Sequence, residues 1–244
     1  KLCILGEHTD WAAGYRDRNR GIPPGFTIVA TTQEGLHARV SSRADGRLVF
    51  RSCPPRGRGH RIEGPFRGMP ISSSYLYVFP QALQDVVDAK GFFMYVAGTA
   101  LTVCTRCVEG GVTVTAGNGV TIDNYLTTLP LKKGLSSSAA VCVLVVRALC
   151  AVHGLELSIP QVMELAHLGE TRSGSKCGRM DQCCALGANH VAAMFFDGDD
   201  VQIYEVRRVA PPECGIFLVV ADLNGSKDTI KMLGCLNSCF PEAK

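Results

Sequence analysis

Three stretches of this chain crowd polar and small residues into an otherwise apolar pattern. The first is Gly6-Glu7-His8-Thr9-Asp10-Trp11, which follows a short apolar run at residues 2–5. Two carboxylates, an imidazole and a hydroxyl so close together make a surface that reads hydroxyl groups, with Glu7 and Asp10 accepting and Trp11 stacking on a ring. A solvated polar turn accounts for the same residues. The second stretch is Pro130-Leu131-Lys132-Lys133-Gly134-Leu135-Ser136-Ser137-Ser138-Ala139-Ala140, which runs into an apolar segment at 141–152. It reads as a loop feeding a buried helix, where exposed N–H groups, three hydroxyls and the positive end of the helix dipole converge. Such a terminus suits an anion, and phosphate above all. An ordinary serine-capped helix is the other reading. The third stretch is glycine-rich, Ser173-Gly174-Ser175-Lys176-Cys177-Gly178-Arg179-Met180-Asp181-Gln182. Asp181 stands there among small residues, as a general base, a metal ligand or a helix cap; from these residues alone the cap comes first.

The elements that must position these groups follow from periodicity. A short strand at 2–5 delivers the first cluster, and residues 12–24, rich in Gly, Arg and Pro, read as a loop. Strand patterns recur at 26–31, 36–41 and 47–50, with Asp45-Gly46 as a turn. Residues 52–70 place Arg56, Arg58, Arg61 and Arg67 among four prolines, as an exposed insertion or a basic patch for anionic partners. Helical spacing from 75 to 107 predicts two helices broken at Gly91. The run at 92–104 is core, being well short of the ~20 residues a membrane span needs. Residues 111–115 and 120–123 read as a hairpin around Gly117-Asn118-Gly119. The buried helix ends at Gly154, and Ser158-Ile159-Pro160-Gln161 caps the next, with Val162, Leu165, Ala166 and Gly169 on one face and an end near Glu170. Residues 191–196 and 201–206 form a hairpin around 197–200. Residues 216–221 read as a fully buried strand, and a helix starts after Thr229.

The chain has 244 residues, 46% hydrophobic and 19% charged, enough for a sizeable core. A net charge of +3 gives no case for nucleic acid as a partner. The twelve cysteines are irregularly spaced. Cys104 and Cys107 form a C-x-x-C without a matching second half, and Cys142 and Cys150 fall inside an apolar helical pattern. Free structural thiols in a reducing, cytoplasmic compartment are expected.

Taken together, the stretches resemble the GHMP kinases, the superfamily of galactokinase, homoserine kinase, mevalonate kinase and phosphomevalonate kinase. Gly6-Glu7-His8-Thr9-Asp10 looks like the galactokinase signature, Pro130 to Ala139 is similar to the phosphate-binding motif, and Cys177 to Gln182 resembles the stretch around the catalytic aspartate. The resemblance implies an α+β chain: a ribosomal protein S5 domain 2-like N-terminal domain over 1–208, and the start of a ferredoxin-like GHMP kinase C-terminal domain over 209–244. It implies ATP and Mg²⁺. Gly134, Leu135, Ser136, Ser137 and Ser138 would wrap the ATP phosphates, and Ser138 and Glu170 would hold the metal. Asp181 would act on the acceptor hydroxyl, Lys1 would stabilise the transferring phosphoryl group, and Glu7, His8, Asp10 and Trp11 would contact the acceptor.

A small-molecule sugar kinase acting on an anomeric 1-OH, with a monosaccharide as acceptor, is the leading implication. Galactokinases usually carry Arg at the position of Lys1, and Tyr-Asn-Gly-Gly where this chain has Trp11-Ala12-Ala13-Gly14. Lysine at the first position is similar to mevalonate kinases, which supply one alternative; a non-catalytic ATP- and sugar-binding sensor supplies another. The family's glycine-rich third motif is missing and the chain starts at the catalytic cation, so a piece of a longer protein is expected.

Overall fold

The apolar run at the start of the chain forms β1 (Leu2–Leu5) in the computed structural model, which describes residues 1–17, 19–52, 62–63, 69–70, 79–91, 93–109, 119–129, 134–197, 204–210, 213–215, 219 and 229–238. After β1 come α1 (Thr9–Ala12), a 3₁₀ turn (Ala13–Asp17), β2 (Gly25–Ala30), β3 (Leu36–Arg43), β4 (Arg47–Ser52), and the short β5 (Ile62–Glu63) and β6 (Met69–Pro70). Then follow α2 (Phe79–Asp88), α3 (Met94–Glu109), β7 (Gly119–Thr127), α4 (Ser137–His153) and α5 (Ile159–Arg172). A 3₁₀ turn (Asp181–Leu186), β8 (Val191–Phe196), β9 (Tyr204–Val209) and α6 (Thr229–Ser238) complete the order. These elements fall into two units, one of Lys1–Gln33, Pro130–Ser137 and Lys176–Lys244, the other of Glu34–Leu129 and Ser138–Ser175.

The first unit is built on an antiparallel sheet in the order β1-β2-β8-β9. Its central strands bury Val29, Met194 and Phe196. Two expectations change here. Residues 12–24 do not all form a loop, because α1 and the 3₁₀ turn occupy Thr9 to Asp17. Trp11 and Tyr15 meet edge to face at a centroid distance of 6.3 Å, a local aromatic pair that outweighs the glycine and arginines read as breakers. The second arm of the 191–206 hairpin also runs on to Val209, with Phe196 opposite Tyr204 and Val191 opposite Val209; residues 198–203 lie outside the described residues. So does the strand expected at 216–221, apart from Val219, which is 97% exposed rather than buried.

The second unit has a sheet in the order β3-β7-β4-β5, with β6 also on β4. β7 runs antiparallel to β3 and parallel to β4. Leu48, Val49 and Phe50 are consecutive and all buried, as an interior strand beside a parallel neighbour requires. The edge strand β3 leaves most of its residues exposed. The two helices expected at 75–107 are α2 and α3, separated at Gly91, and the first arm of the hairpin expected at 111–115 lies outside the described residues, as does most of the arginine-rich insertion. Leu83, Val96, Leu101, Ile122, Leu149 and Met163 pack with almost no exposure, each apolar side chain contributing roughly 2 kcal/mol of transfer free energy.

α5 begins with the expected capping box: the Ser158 hydroxyl accepts from Gln161 N–H, and the Gln161 side chain accepts from Ser158 N–H at 2.8 Å. It continues past Glu170 to Arg172. Its buried arc also differs, since Leu165 is half-buried while Met163, His167 and Glu170 are buried with Val162, Ala166 and Gly169. Among the described residues no helix is long and apolar enough to cross a membrane.

Candidate active site

In the first unit, the Lys1 ammonium lies 2.8 Å from Asp181 Oδ1 and 4.0 Å from Glu7 Oε2. Asp181 therefore does not cap the 3₁₀ turn it opens. The residue ahead of that turn is Met180, with no side-chain cap, and the Asp181 carboxylate serves the lysine instead. Lys1 is almost wholly buried, at 4% side-chain exposure, whereas Asp181 keeps 28%. Burial alone would lower the lysine's pKa. The charge and hydrogen bond of Asp181, with Glu7 behind it, outweigh that and hold it above its usual 10.5, so the ammonium stays charged.

The signature after β1 folds into a tight turn. Gly6 has φ +83°, and a Cβ there would run into the Phe26 carbonyl. The Thr9 hydroxyl donates to Gly6 O at 2.8 Å and accepts from Phe26 N–H at 3.1 Å, fastening the turn to β2. His8, at φ +70°, accepts through Nδ1 from Trp11 Nε1–H at 3.2 Å, so these two rings are tied to each other. Glu7 keeps 49% side-chain exposure. Asp10 is more enclosed than Glu7. It is 4% exposed, and its Oδ2 accepts from Met180 N–H at 3.0 Å. Burial, helped by the charge of Asp181, raises its pKa against the stabilising Met180 N–H.

Two thiols missed in the sequence reading stand beside this cluster. Burial pushes Cys183 up to about 12, and burial with the neighbouring Glu7 pushes Cys3 up to about 11. Nothing in their spacing marks them, because only folding brings β1 beside the Asp181 turn.

The expected phosphate loop is described from Gly134 onward. Gly134 and Ser136 both have positive φ, +77° and +61°, the latter unusual for a side-chain-bearing residue. The Ser136 hydroxyl is buried and finds no hydrogen-bond partner, immediately ahead of the seventeen-residue α4. A strained residue with an orphaned hydroxyl at a helix N-terminus fits an anionic ligand such as the phosphates of ATP. Leu135 is half-buried, and Ser137 opens the helix.

In the second unit, Ser138 Oγ donates to Glu170 Oε1 at 2.7 Å. Glu170 is 2% exposed, and this hydroxyl–carboxylate pair is the oxygen donor set that Mg²⁺ takes. Close packing sets the position of Glu170. A Cβ on Gly98 of α3 would lie 2.5 Å from Ser173 Oγ, and one on Gly169 of α5 would lie 2.5 Å from Thr99 Cα. The two helices approach through these glycines, and Ser173 Oγ bonds Met94 O at 3.0 Å across the contact. Cys104 and Cys107 are buried on α3, and among the described residues no group of three or more His, Cys, Asp or Glu is arranged to hold a metal.

Residues 95–188 match the family of GHMP kinases, N-terminal domain, a span that includes Ser138, Glu170 and Asp181. Among solved structures, the chain is similar to Lactococcus lactis galactokinase complexed with galactose, with 21% identity and a TM-score of 0.55 over 86% of this chain and 46% of that one. It is also similar to a D-glycero-D-manno-heptose 1-phosphate kinase from Bacteroides thetaiotaomicron, with 18% identity and a TM-score of 0.56 over 87% of this chain and 58% of that one. A third similar structure is Streptococcus pneumoniae phosphomevalonate kinase, with 12% identity and a TM-score of 0.54 over 100% of this chain and 71% of that one. No curated protein matches the chain by sequence. The chain thus spans about half the length of the first two structures, and identities this low speak to the fold. Motif and family match agree, and residues 95–188 carry the likeness to the GHMP kinases N-terminal domain.

Proposed function

We propose that this chain carries the ATP- and acceptor-binding part of a small-molecule kinase that transfers the γ-phosphoryl group of ATP to a sugar hydroxyl, in the manner of a galactokinase acting on the anomeric 1-OH. The observation that carries the reading is the Lys1–Asp181 pair at 2.8 Å, next to the exposed Glu7. In this reading Asp181 takes the proton of the acceptor hydroxyl as its oxygen forms the new P–O bond and the bond to the ADP oxygen breaks. The Lys1 ammonium offsets charge on the transferring group. Gly134 to Ser138 would hold the phosphates, and Ser138 with Glu170 would hold Mg²⁺, which would supply positive charge to offset that of the phosphates. Glu7 and His8, with Trp11 bracing His8, meet the acceptor. Domain boundaries at 1–208 and 209–244, the S5-like and ferredoxin-like assignments, and a cytoplasmic location belong to the same proposal.

Lysine at position 1 favours a second reading, a mevalonate-type phosphotransferase. One assay separates them. ADP release is measured with galactose, other monosaccharides and mevalonate, for wild type and Asp181→Asn, on the full-length protein that contains this chain. Sugar-dependent release that disappears in Asp181→Asn supports the proposal. Release with mevalonate alone replaces it with the second reading, and saturable sugar binding without turnover leaves a sensor.

A further inference from the structure

We propose that Trp11 is a positioning residue for His8: its indole N–H holds the imidazole as the Nε2–H tautomer, so that His8 meets the acceptor as a hydrogen-bond donor. This rests on reading His8 as a contact of the acceptor, and it gives the Trp11 nitrogen a part that stacking on a ligand ring does not need.

Thr9 opens α1, so His8 stands just ahead of the helix and Trp11 lies in its first turn, three residues on. Trp11 Nε1 and His8 Nδ1 are 3.2 Å apart. An indole nitrogen only donates, so the Nδ1 it meets is a bare lone pair. A neutral imidazole then carries its single proton on the other nitrogen. His8 is left with Nε2–H to offer and no second acceptor. The ring planes are inclined at 55° with centroids 6.1 Å apart, so the rings meet through their nitrogens and not face to face. Tyr15 meets the indole edge to face at 6.3 Å and braces it in turn. The backbone points to the same residue. His8 has φ +70°, a conformation that costs a side-chain-bearing residue about 1–3 kcal/mol and collects at ligand clamps. The Thr9 hydroxyl, bonded to Gly6 O and Phe26 O at 2.8 Å each, holds that turn in place. Among the described residues Nε2 has no partner, and His8 is half-buried. The preceding Glu7 keeps 49% side-chain exposure. A carboxylate that accepts and an imidazole that donates read two hydroxyls in opposite senses, one through its proton and one through its lone pair. A polyhydroxylated acceptor satisfies both.

The test has two readouts on the full-length protein that contains this chain. Imidazole nitrogen NMR, at alkaline pH where an ordinary imidazole (pKa ~6.5) is neutral, reads which nitrogen of His8 carries the proton; His8→Phe assigns the resonances. Wild type is expected to show Nε2 protonated and Nδ1 bare. Trp11→Phe, which keeps a ring and removes the donor, is expected to shift the Nδ1 resonance. A proton on Nδ1, or an Nδ1 resonance that Trp11→Phe does not move, overturns the proposal. Kinetics with the acceptor sugar supply the second readout. Trp11→Phe is expected to raise acceptor KM about tenfold, the scale of one hydrogen bond, with kcat little changed. Made in the His8→Phe background, the same substitution is expected to add nothing, because Trp11 acts through His8. A wild-type KM in Trp11→Phe means that only the aromatic ring counts, and an undiminished effect in the His8→Phe background means that Trp11 touches the acceptor itself; either overturns the proposal. If Trp11→Phe does not fold, the proton position in wild type decides alone. If wild type turns over no acceptor, the proposed function fails, and the nitrogen spectra still uphold or overturn the pairing of Trp11 with His8.

Discussion

The Lys1–Asp181 pair is asymmetric, and the asymmetry predicts which partner costs more to remove. Lys1 is 4% exposed and Asp181 28%, so Asp181→Ala strands an ammonium out of water whereas Lys1→Met leaves a carboxylate that water still reaches. Losing the partner of a buried charge costs on the order of 3 kcal/mol. Denaturant unfolding is expected to show a loss of about that size for Asp181→Ala, and a smaller one for Lys1→Met. Equal losses would mean that the ammonium is not held dry. The pH dependence has a definite sign. The folded pKa of Lys1 lies above its ordinary 10.5, so the folded state binds the proton more tightly than the unfolded chain. The pair's contribution is therefore fully present below pH 10.5 and declines as pH rises through the raised folded value. An advantage of wild type over Lys1→Met that persists above that range contradicts the assignment.

At the scale of elements, helix approach decides where Glu170 sits. Alanine is a better helix former than glycine by nearly 1 kcal/mol, so propensity alone predicts that Gly169→Ala stabilises α5. Packing predicts the reverse, because the new Cβ would lie 2.5 Å from Thr99 Cα and Oγ1. Overpacking costs roughly 1–3 kcal/mol and should win. Gly169→Ala is expected to lower Tm and to weaken nucleotide binding through the neighbouring Glu170, read by calorimetry. Gly91→Ala serves as the control, since a Cβ there meets nothing within 4 Å, and it should change neither. The capping box gives an independent check on the same helix: Ser158→Ala should cost about 1 kcal/mol in chemical denaturation without the effect on nucleotide binding.

Over the whole molecule, what the sequence reveals depends on how far apart the interacting residues lie. β1, β3, α2, α3 and the capped start of α5 were legible because period, cap and breaker act over a few residues. The Gly134–Ser138 stretch was legible from its composition as the approach to a buried helix, though its positive-φ serine was not. The partners of Asp10 and Asp181 were hidden, because Met180 and Lys1 reach them only through the sheet order β1-β2-β8 and the turn that precedes β8. The cysteines carry the same lesson and a last prediction. Irregular spacing pointed to structural thiols, and the fold divides them by environment: Cys214 and Cys235 are exposed, while Cys104, Cys142, Cys177 and Cys183 are buried. Burial pushes Cys104 and Cys183 up to about 12, so at pH 8 their thiolate fraction is on the order of a thousandfold below that of an ordinary thiol. Iodoacetamide pulses followed by peptide mass spectrometry should label Cys214 and Cys235 first in the native protein. Cys104 and Cys183 should become reactive only on unfolding, with neither reductant nor chelator needed. If Cys104 and Cys107 stayed unlabelled in denaturant until a chelator was added, a bound metal would replace the thiol reading; if a reductant were required, a disulfide would.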